Sequence, residues 1–358
     1  MKFVHIADMH LDMPFRSLSN IRGESFGEKR RLEQRQIMKE IVQYIKENNI
    51  PYFFIAGDLY EHELIRESTI RYVNELFNQI PQTSIFIAPG NHDPYLKNSF
   101  YNQYKWGNNV HIFGHKLEKI ETEDANIYGF GFNDFYCNDF SLEGIELNKD
   151  KLNILVIHGS IDGSTAEEMQ YNSMSKNKLK EFGFDYVALG HIHKLDYQTE
   201  ENQRMVYPGS TISSGFDELG KHGMIVGNLT KNSISLDFIP LDKKEMIEEK
   251  INISDIYSEE ELIEKIEELE IEENKYIKII LIGNKNFEIN ILHLNKLIEN
   301  KNIIKIKDNS KIKCNIEKLL EENNLKGLFI KECILEKEKG EVSEELINKI
   351  IEVGLNNI

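Results

Sequence analysis

The chain has 358 residues, 40% of them hydrophobic, and no run approaches the roughly 18 apolar residues of a membrane helix. This length and apolar content suit two domains, one large and one small. The formal net charge of −17 opposes an extended nucleic-acid surface, although a local basic patch supplemented by metal cations would suffice for one.

The N-terminus and the cysteines indicate the compartment. An apolar strand begins almost at the first residue, which leaves no room for a signal peptide. Three scattered cysteines, Cys137, Cys314 and Cys333, argue against a disulfide framework or a thiolate zinc site and fit a reducing cytosol. We therefore expect a cytoplasmic protein without membrane attachment.

Up to about residue 240, short apolar runs alternate with polar loops and helical segments such as residues 36–48. Continuous apolar runs are typical of strands that are buried on both faces of a sheet. The five clearest runs are residues 3–7, 52–56, 84–88, 153–157 and 185–189. This alternation predicts an α/β domain over residues 1–242.

After Pro240 the chain becomes rich in glutamate, and Ser258 is the predicted N-cap of an amphipathic helix. The predicted helix, strand, helix and strand are residues 258–270, 276–283, 287–300 and 302–308. This order is typical of a small α/β domain, which we place with its acidic linker at residues 243–340. A C-terminal helical segment follows at residues 341–358.

Each of the five apolar runs is followed by an Asp, Asn or His side chain. Because sites of open α/β sheets lie beyond the carboxyl ends of the strands, these side chains are expected to converge. Asp8 and His10 are two residues apart, as are His191 and His193, so each pair can point the same way. The candidate metal ligands are Asp8, His10, Asp58, Asn91, His158, His191 and His193.

These seven side chains predict a metal centre. They offer oxygen and imidazole nitrogen donors without thiolate, which suits Mn, Fe or Zn. Seven ligands are too many for one tetrahedral ion, but a bridging Asp58 would give each of two ions four protein ligands. Two ions roughly 3.5–4 Å apart are what phosphoester cleavage uses. We therefore predict two divalent ions, with Mn²⁺ expected and Fe or Zn as alternatives.

The order D-x-H, G-D, G-N-H-D, H and G-H-x-H resembles the calcineurin-like metallophosphoesterase superfamily. Within it the chain is most similar to SbcD-type subunits of DNA-repair exonucleases, especially their YhaO-like branch. The likeness is strong over roughly residues 1–240, including ADMHLDMPF and VYPGSTISSGFDELGKHG, and weaker beyond. It implies an αββα sandwich with a smaller capping domain. It also assigns the ligands, Asp8, His10, Asp58 and His193 to one ion and Asp58, Asn91, His158 and His191 to the other.

The resemblance further implies that His92 of GNHD is a catalytic histidine and not a ligand. Glu61 stands where phosphoprotein phosphatases carry the aspartate that pairs with this histidine, and His62 is an equally near alternative. The phosphoryl-gripping arginine of their G-D-x-V-D-R-G motif is missing from GDLYEHE, which counts against a phosphoprotein phosphatase.

By the same resemblance the chain is a DNA exonuclease or endonuclease that acts in DNA repair with an SbcC-like coiled-coil ATPase and pairs as a homodimer. The amphipathic segments 325–334 and 346–358 would dock the ATPase or pack on this chain's own domains. A basic stretch over residues 16–39 is a candidate DNA contact, or else a solvated helix face. The aromatic residues at 100–106 are candidates for stacking on bases, or else one packed helix face. A small-substrate phosphodiesterase or phosphatase, which the acidic composition favours, and a non-catalytic subunit stay open.

Overall fold

The computed structural model describes the chain except for residues 17, 19–23, 163–171, 199, 201, 313–315, 322, 340–341 and 358. It forms two compact units, Met1–Glu245 and Met246–Ile358. No helix among the described residues is both long and apolar enough to cross a bilayer. Cys137 and Cys333 are buried free thiols, and Cys314 lies outside the described residues.

The elements of the first unit alternate between strands and helices. Its strands are β1 (Lys2–Ile6), β2 (Tyr52–Ile55), β3 (Ser84–Ile87), β4 (Val110–Ile112), β5 (Glu118–Glu121), β6 (Ala125–Phe130), β7 (Leu152–His158), β8 (Tyr186–Gly190), β9 (Met205–Val206), β10 (Gly223–Leu229) and β11 (Ile234–Pro240). Its helices are α1 (Glu24–Glu47), α2 (Glu67–Phe77), α3 (Phe100–Gln103) and α4 (Lys176–Phe182).

Two sheets form the first unit. One has the order β11-β10-β1-β2-β3-β4, in which β1 to β4 are parallel and β10 and β11 are antiparallel. The other has the order β5-β6-β7-β8-β9 and is parallel except for β5. The carboxyl ends of β1, β2 and β3 therefore lie along one edge, as do those of β7 and β8.

The two sheets face each other across one apolar core, because alternate residues of each strand point towards it. The ring centroids of Phe3 in β1 and Tyr186 in β8 are 4.6 Å apart. The buried residues of this layer include Phe3, Ala7, Tyr52, Phe54, Ala56, Phe86 and Ala88 along the first sheet and Ala125, Ile127, Ile154, Val156, Tyr186 and Ala188 along the second.

Helices cover the outer faces of the sheets. The ring of Phe53 in β2 lies 6.1 Å from that of Phe77 in α2. On the other sheet, Leu179 of α4 shares a buried cluster with Leu155 and Val187. This arrangement confirms the predicted α/β class and αββα sandwich. Helix α1 begins earlier than the predicted helix because its first half uses polar side chains, such as Gln34, to contact the body of the unit.

The second unit is a smaller α/β body followed by helices. Its strands are β12 (Glu245–Asn252), β13 (Lys275–Ile282), β14 (Asn284–Lys285), β15 (Ile303–Asp308) and β16 (Lys311–Ile312). Its helices are α5 (Glu259–Glu267), α6 (Ile291–Leu297), α7 (Ile316–Glu321), α8 (Leu325–Lys339) and α9 (Glu344–Asn357). The order β12-β13-β15 makes its larger sheet.

Leu262 of α5, Leu294 of α6 and Ile279 of β13 are fully buried in the core of this second unit. The Ser258 side chain accepts a hydrogen bond from the Glu261 N–H, which confirms the predicted N-cap of α5. Ile330 of α8 packs in the same cluster as buried residues of α9. That this unit caps the active site, and that residues 341–358 form a segment separate from it, remain predictions.

Candidate metal centre

The loops that leave the strands carry the candidate ligands on an unusual backbone. Asp8, His10, Asp58 and His191 have φ angles of 51°, 49°, 51° and 100°. Residues other than glycine seldom adopt this left-handed region, and such strain tends to cluster at functional sites. These turns place the side chains that follow β1, β2 and β8 at the carboxyl ends of the strands.

Four predicted ligands of one ion lie together. The Nε2 atoms of His10 and His193 are 3.1 Å apart. Asp58 Oδ2 lies 3.8 Å from His10 Nε2, and Asp8 Oδ1 lies 3.8 Å from His193 Nε2. One cation could contact all four side chains.

The predicted ligands of the second ion are also brought together. His158 Nε2 lies 2.9 Å from Asn91 Oδ1 and 3.3 Å from Asp58 Oδ2. The ring centroid of His191 lies 5.2 Å from that of His158. Asp58 Oδ2 therefore stands between the two groups of ligands, where a bridging carboxylate is required.

The hydrogen bonds behind the histidines test whether this donor set suits cations. His10 Nδ1 donates to Glu61 Oε1 at 2.7 Å, and His193 Nδ1 donates to Glu218 Oε1 at 2.6 Å. With a proton on each Nδ1, both Nε2 atoms face the 3.1 Å space between the rings, where a cation could take the place of the proton that they otherwise share. Metal-ligating histidines ordinarily have such carboxylate partners, so the residues fit divalent ions.

The surroundings of two histidines favour positive charge in the same way. Burial lowers the pKa of His193, but its hydrogen bond to Glu218 and the charge of Asp8 outweigh burial and raise it to about 9. Burial likewise lowers the pKa of His158, and the Asp58 carboxylate raises it to about 9. The carboxylates thus make this edge of the sheets favourable for cations.

His92 stands beside the ligands and not among them. Its ring centroid is 4.8 Å from that of His10, and its Nδ1 donates to Glu61 Oε2 at 3.1 Å. Its side chain is 46% exposed. The His62 ring lies against Phe135 instead, at 5.8 Å between centroids, so Glu61 is the partner that contacts His92.

Burial lowers the pKa of His92, but the hydrogen bond to Glu61 and the charge of Asp58 raise it to about 9. Burial raises the pKa of Glu61, whereas its bonds to His10 and His92 lower it to about 2. Glu61 is therefore an ionised carboxylate that accepts hydrogen bonds from two histidines, and the His92 ring is doubly protonated and positively charged at neutral pH.

Sequence reasoning missed Asp93, which holds the turn that carries Asp58. The buried Asp93 carboxylate accepts hydrogen bonds from the Asp58, Leu59 and Gly90 N–H groups at 3.1, 2.7 and 2.6 Å. Tyr101 donates to it at 2.5 Å. The signal was available, because Asp93 is the last residue of the GNHD motif.

Close packing explains why the residue before His191 is a glycine, Gly190. A Cβ on Gly190 would lie 1.8 Å from the Ala56 carbonyl oxygen and 2.9 Å from His158 Nδ1. The same carbonyl accepts the His158 Nδ1 proton at 2.9 Å. A side chain at this position would displace the ligands of the second ion.

Within the basic stretch, Lys29 and Lys39 are exposed, whereas Arg30 is internal and so belongs neither to a surface patch nor to a solvated face. Arg30 is 1% exposed and makes a bidentate pair with Asp242 at 3.1 and 2.7 Å. Arg35 pairs with Asp12 at 3.0 Å. Arg22 lies outside the described residues. Among the aromatic residues at 100–106, the buried Tyr101 packs near the Trp106 ring at 6.1 Å.

Comparisons with known proteins point the same way. A family model described as calcineurin-like phosphoesterase matches residues 1–195. The uncharacterized metallophosphoesterase YhaO of Bacillus subtilis (strain 168) is 26% identical over 245 residues, which are 66% of this chain and 59% of that protein. The chain thus matches less than two thirds of the length of that relative. The crystal structure of TT1561 of Thermus thermophilus aligns at a TM-score of 0.40 and 9% identity, over 66% of this chain and 98% of that one. That likeness is too weak to support an argument.

Proposed function

The chain belongs to the calcineurin-like phosphoesterase family, and on this basis we propose that it is a Mn²⁺-dependent DNA nuclease acting in DNA repair. The observation that carries the proposed chemistry is the position of Asp58 Oδ2, 3.8 Å from His10 Nε2 and 3.3 Å from His158 Nε2. This carboxylate could bridge two ions, as in two-metal centres that stabilise the attacking and leaving oxygens of an in-line displacement.

The metal ligands and the pair of Glu61 and His92 would have different roles in hydrolysis. Two divalent ions at this centre would supply a nucleophile at neutral pH and neutralise charge on the phosphoryl oxygens. Glu61 holds the proton on His92 Nδ1 and so leaves the Nε2 proton free for the leaving oxygen. General-acid catalysis of this kind contributes roughly 10²–10⁴-fold.

DNA as the substrate is supported by the likeness of ADMHLDMPF and VYPGSTISSGFDELGKHG to SbcD-type sequences. The exposed His92 side chain, at 46%, supports attack on a phosphodiester that approaches from solvent. The missing phosphatase arginine also favours a diester over a phosphoprotein.

A small-substrate phosphodiesterase or phosphatase is the second candidate. The net charge of −17 favours it, because an acidic surface repels a polyanion beyond the reach of the ions. The arrangement of Glu61 behind both His10 and His92 argues against a non-catalytic subunit, which would not need the second contact.

We also propose that an SbcC-like coiled-coil ATPase binds the C-terminal helices, and that the chain pairs as a homodimer. In support of the first, α8 exposes 62% of Leu328 and α9 exposes 55% of Val353. Apolar side chains of this kind suit a helical partner.

The test is hydrolysis by the purified full chain with Mn²⁺, on linear duplex DNA and in parallel on bis-p-nitrophenyl phosphate. We expect nucleotides to be released from DNA, a loss of roughly 10²–10⁴-fold in His92→Ala, and no activity in Asp58→Ala. His115→Ala, which removes an exposed histidine, is the matched control and should leave the rate unchanged.

If the aryl diester is hydrolysed but DNA is not cleaved with Mn²⁺, Fe²⁺ or Zn²⁺, the substrate is a small phosphodiester and not DNA. Bound Mn²⁺ without hydrolysis of either compound would favour the non-catalytic subunit.

A further inference from the structure

A largely enclosed carboxylate, that of Glu218, lies behind the His193 ring in the loop that follows β9. Glu218 Oε1 is 2.6 Å from His193 Nδ1, and the Glu218 side chain is 12% exposed. A charged acceptor at Nδ1 keeps a ring proton there, so that Nε2 faces His10 Nε2 and is the nitrogen that an ion would contact. Glu218 therefore sets both the tautomer and the direction of the His193 ring.

The Glu218 carboxylate is itself fixed by neighbouring serines. Its Oε2 accepts a hydrogen bond from Ser210 Oγ at 2.9 Å and one from the Ser214 N–H at 3.2 Å. Its Oε1 accepts a bond from Ser214 Oγ at 2.5 Å in addition to the one from His193. Each oxygen thus has two partners, and another rotamer would break several bonds at once.

Behind Ser210 lies the buried ring of His222. His222 Nδ1 is 2.8 Å from Ser210 Oγ, and His222 Nε2 is 3.1 Å from the Glu218 carbonyl oxygen. The Ser210 N–H donates to the His193 carbonyl at 3.1 Å. The loop thus contacts both the backbone and the ring of His193.

The loop is also tied to the rest of the first unit. The Ser213 carbonyl accepts a bond from Arg30 Nη2 at 3.0 Å, and the Ser213 N–H donates to Asp242 Oδ2 at 3.0 Å. The internal ion pair of Arg30 and Asp242 therefore anchors the segment that carries Glu218.

From these contacts we infer that Glu218 is a positioning residue for the ion that His193 would hold, with Ser210 and His222 as its support. The inference rests on the proposed function, since it concerns a ligand of the same centre. Glu218 acts through His193 and contributes to ion affinity. Outer partners of this kind change metal affinity by about 10- to 100-fold.

The experiment is calorimetric titration of Mn²⁺ into the metal-free full chain. The wild type should bind two ions, and Glu218→Gln, which keeps the shape and removes the charge, should weaken one of them about 10- to 100-fold. Ser210→Ala removes one hydrogen bond to the carboxylate and should weaken the same ion by roughly 2- to 10-fold. Glu121→Gln removes the same charge from an exposed position of β5 and should change nothing.

A second readout separates positioning from a general loss of structure. In Glu218→Gln, hydrolysis of bis-p-nitrophenyl phosphate should need more Mn²⁺ but reach a kcat near that of the wild type. A thermal melt reports on the fold, and if Glu218→Gln does not fold, Ser210→Ala decides alone.

The inference would be overturned if folded Glu218→Gln bound two ions with unchanged affinities. If Glu218→Gln does not fold, the same result in Ser210→Ala would overturn it. Either result would leave the proposed function standing. A wild-type chain that binds no Mn²⁺ would overturn both.

Discussion

Replacing Glu61 by glutamine tests how His92 holds its proton. One Glu61 oxygen lies 3.1 Å from His92 Nδ1 and the other 2.7 Å from His10 Nδ1. Burial lowers the pKa of His92, and the hydrogen bond to Glu61 is the largest of the contributions that raise it to about 9. A neutral amide removes that charge, so the pKa of His92 should fall towards the ordinary histidine value of about 6.5.

The size of the effect follows from the two protonated fractions. At about pH 8, a histidine with a pKa of about 9 is about nine-tenths protonated, whereas one with a pKa near 7 is about one-tenth protonated. These fractions apply to the metal-free protein, where they differ about tenfold. If Nε2 of His92 supplies the proton to the leaving oxygen, the rate with Mn²⁺ should fall more steeply with rising pH in Glu61→Gln than in the wild type. The loss shrinks as the pH is lowered, because His92 regains its proton.

The assay is hydrolysis of bis-p-nitrophenyl phosphate between about pH 6 and 9, with Mn²⁺ saturating because His10 also loses its charged partner. NMR titration of the His92 ring in the metal-free protein measures its pKa directly, with Glu121→Gln as the control. An unchanged pKa of His92 in Glu61→Gln, or a rate loss that does not depend on pH, would refute the reasoning.

Two further predictions concern stability. Asp242→Ala leaves the buried Arg30 without its bidentate partner and should lower the free energy of unfolding by about 3–5 kcal/mol in urea; a loss below about 1 kcal/mol would show that the pair is dispensable. Burial lowers the pKa of His5 to about 3, so the stability that its neutral ring contributes is complete above pH 6.5 and is lost as the pH falls towards 3. Between about pH 7.5 and 5.5 the wild type should lose about 1.4 kcal/mol more than His5→Gln, and equal losses in urea titrations would contradict this.

The sequence could predict the places from which the candidate ligands come. Asp8, Asp58, Asn91, His158 and His191 each follow or end a strand, and parallel strands deliver such positions to one edge. The N-cap at Ser258 was equally readable, because capping is decided within a few residues.

Contacts between distant residues could not be predicted in the same way. Arg30 belongs to a charged stretch, and its burial depends on Asp242, 212 residues later in the chain. Glu218 stands 25 residues after His193 in an irregular loop, where no periodicity shows which way a side chain points. Asp93 had a motif to mark it, but its role depends on N–H groups of the turn after β2.

The bridging position of Asp58 is tested most directly by a crystal structure with Mn²⁺ and anomalous diffraction. We predict two anomalous peaks roughly 3.5–4 Å apart, both bound to the Asp58 carboxylate. One peak should also contact His10 and His193, and the other Asn91 and His158. A single peak, or a second peak without Asp58 among its ligands, would contradict a two-ion centre at this edge of the sheets.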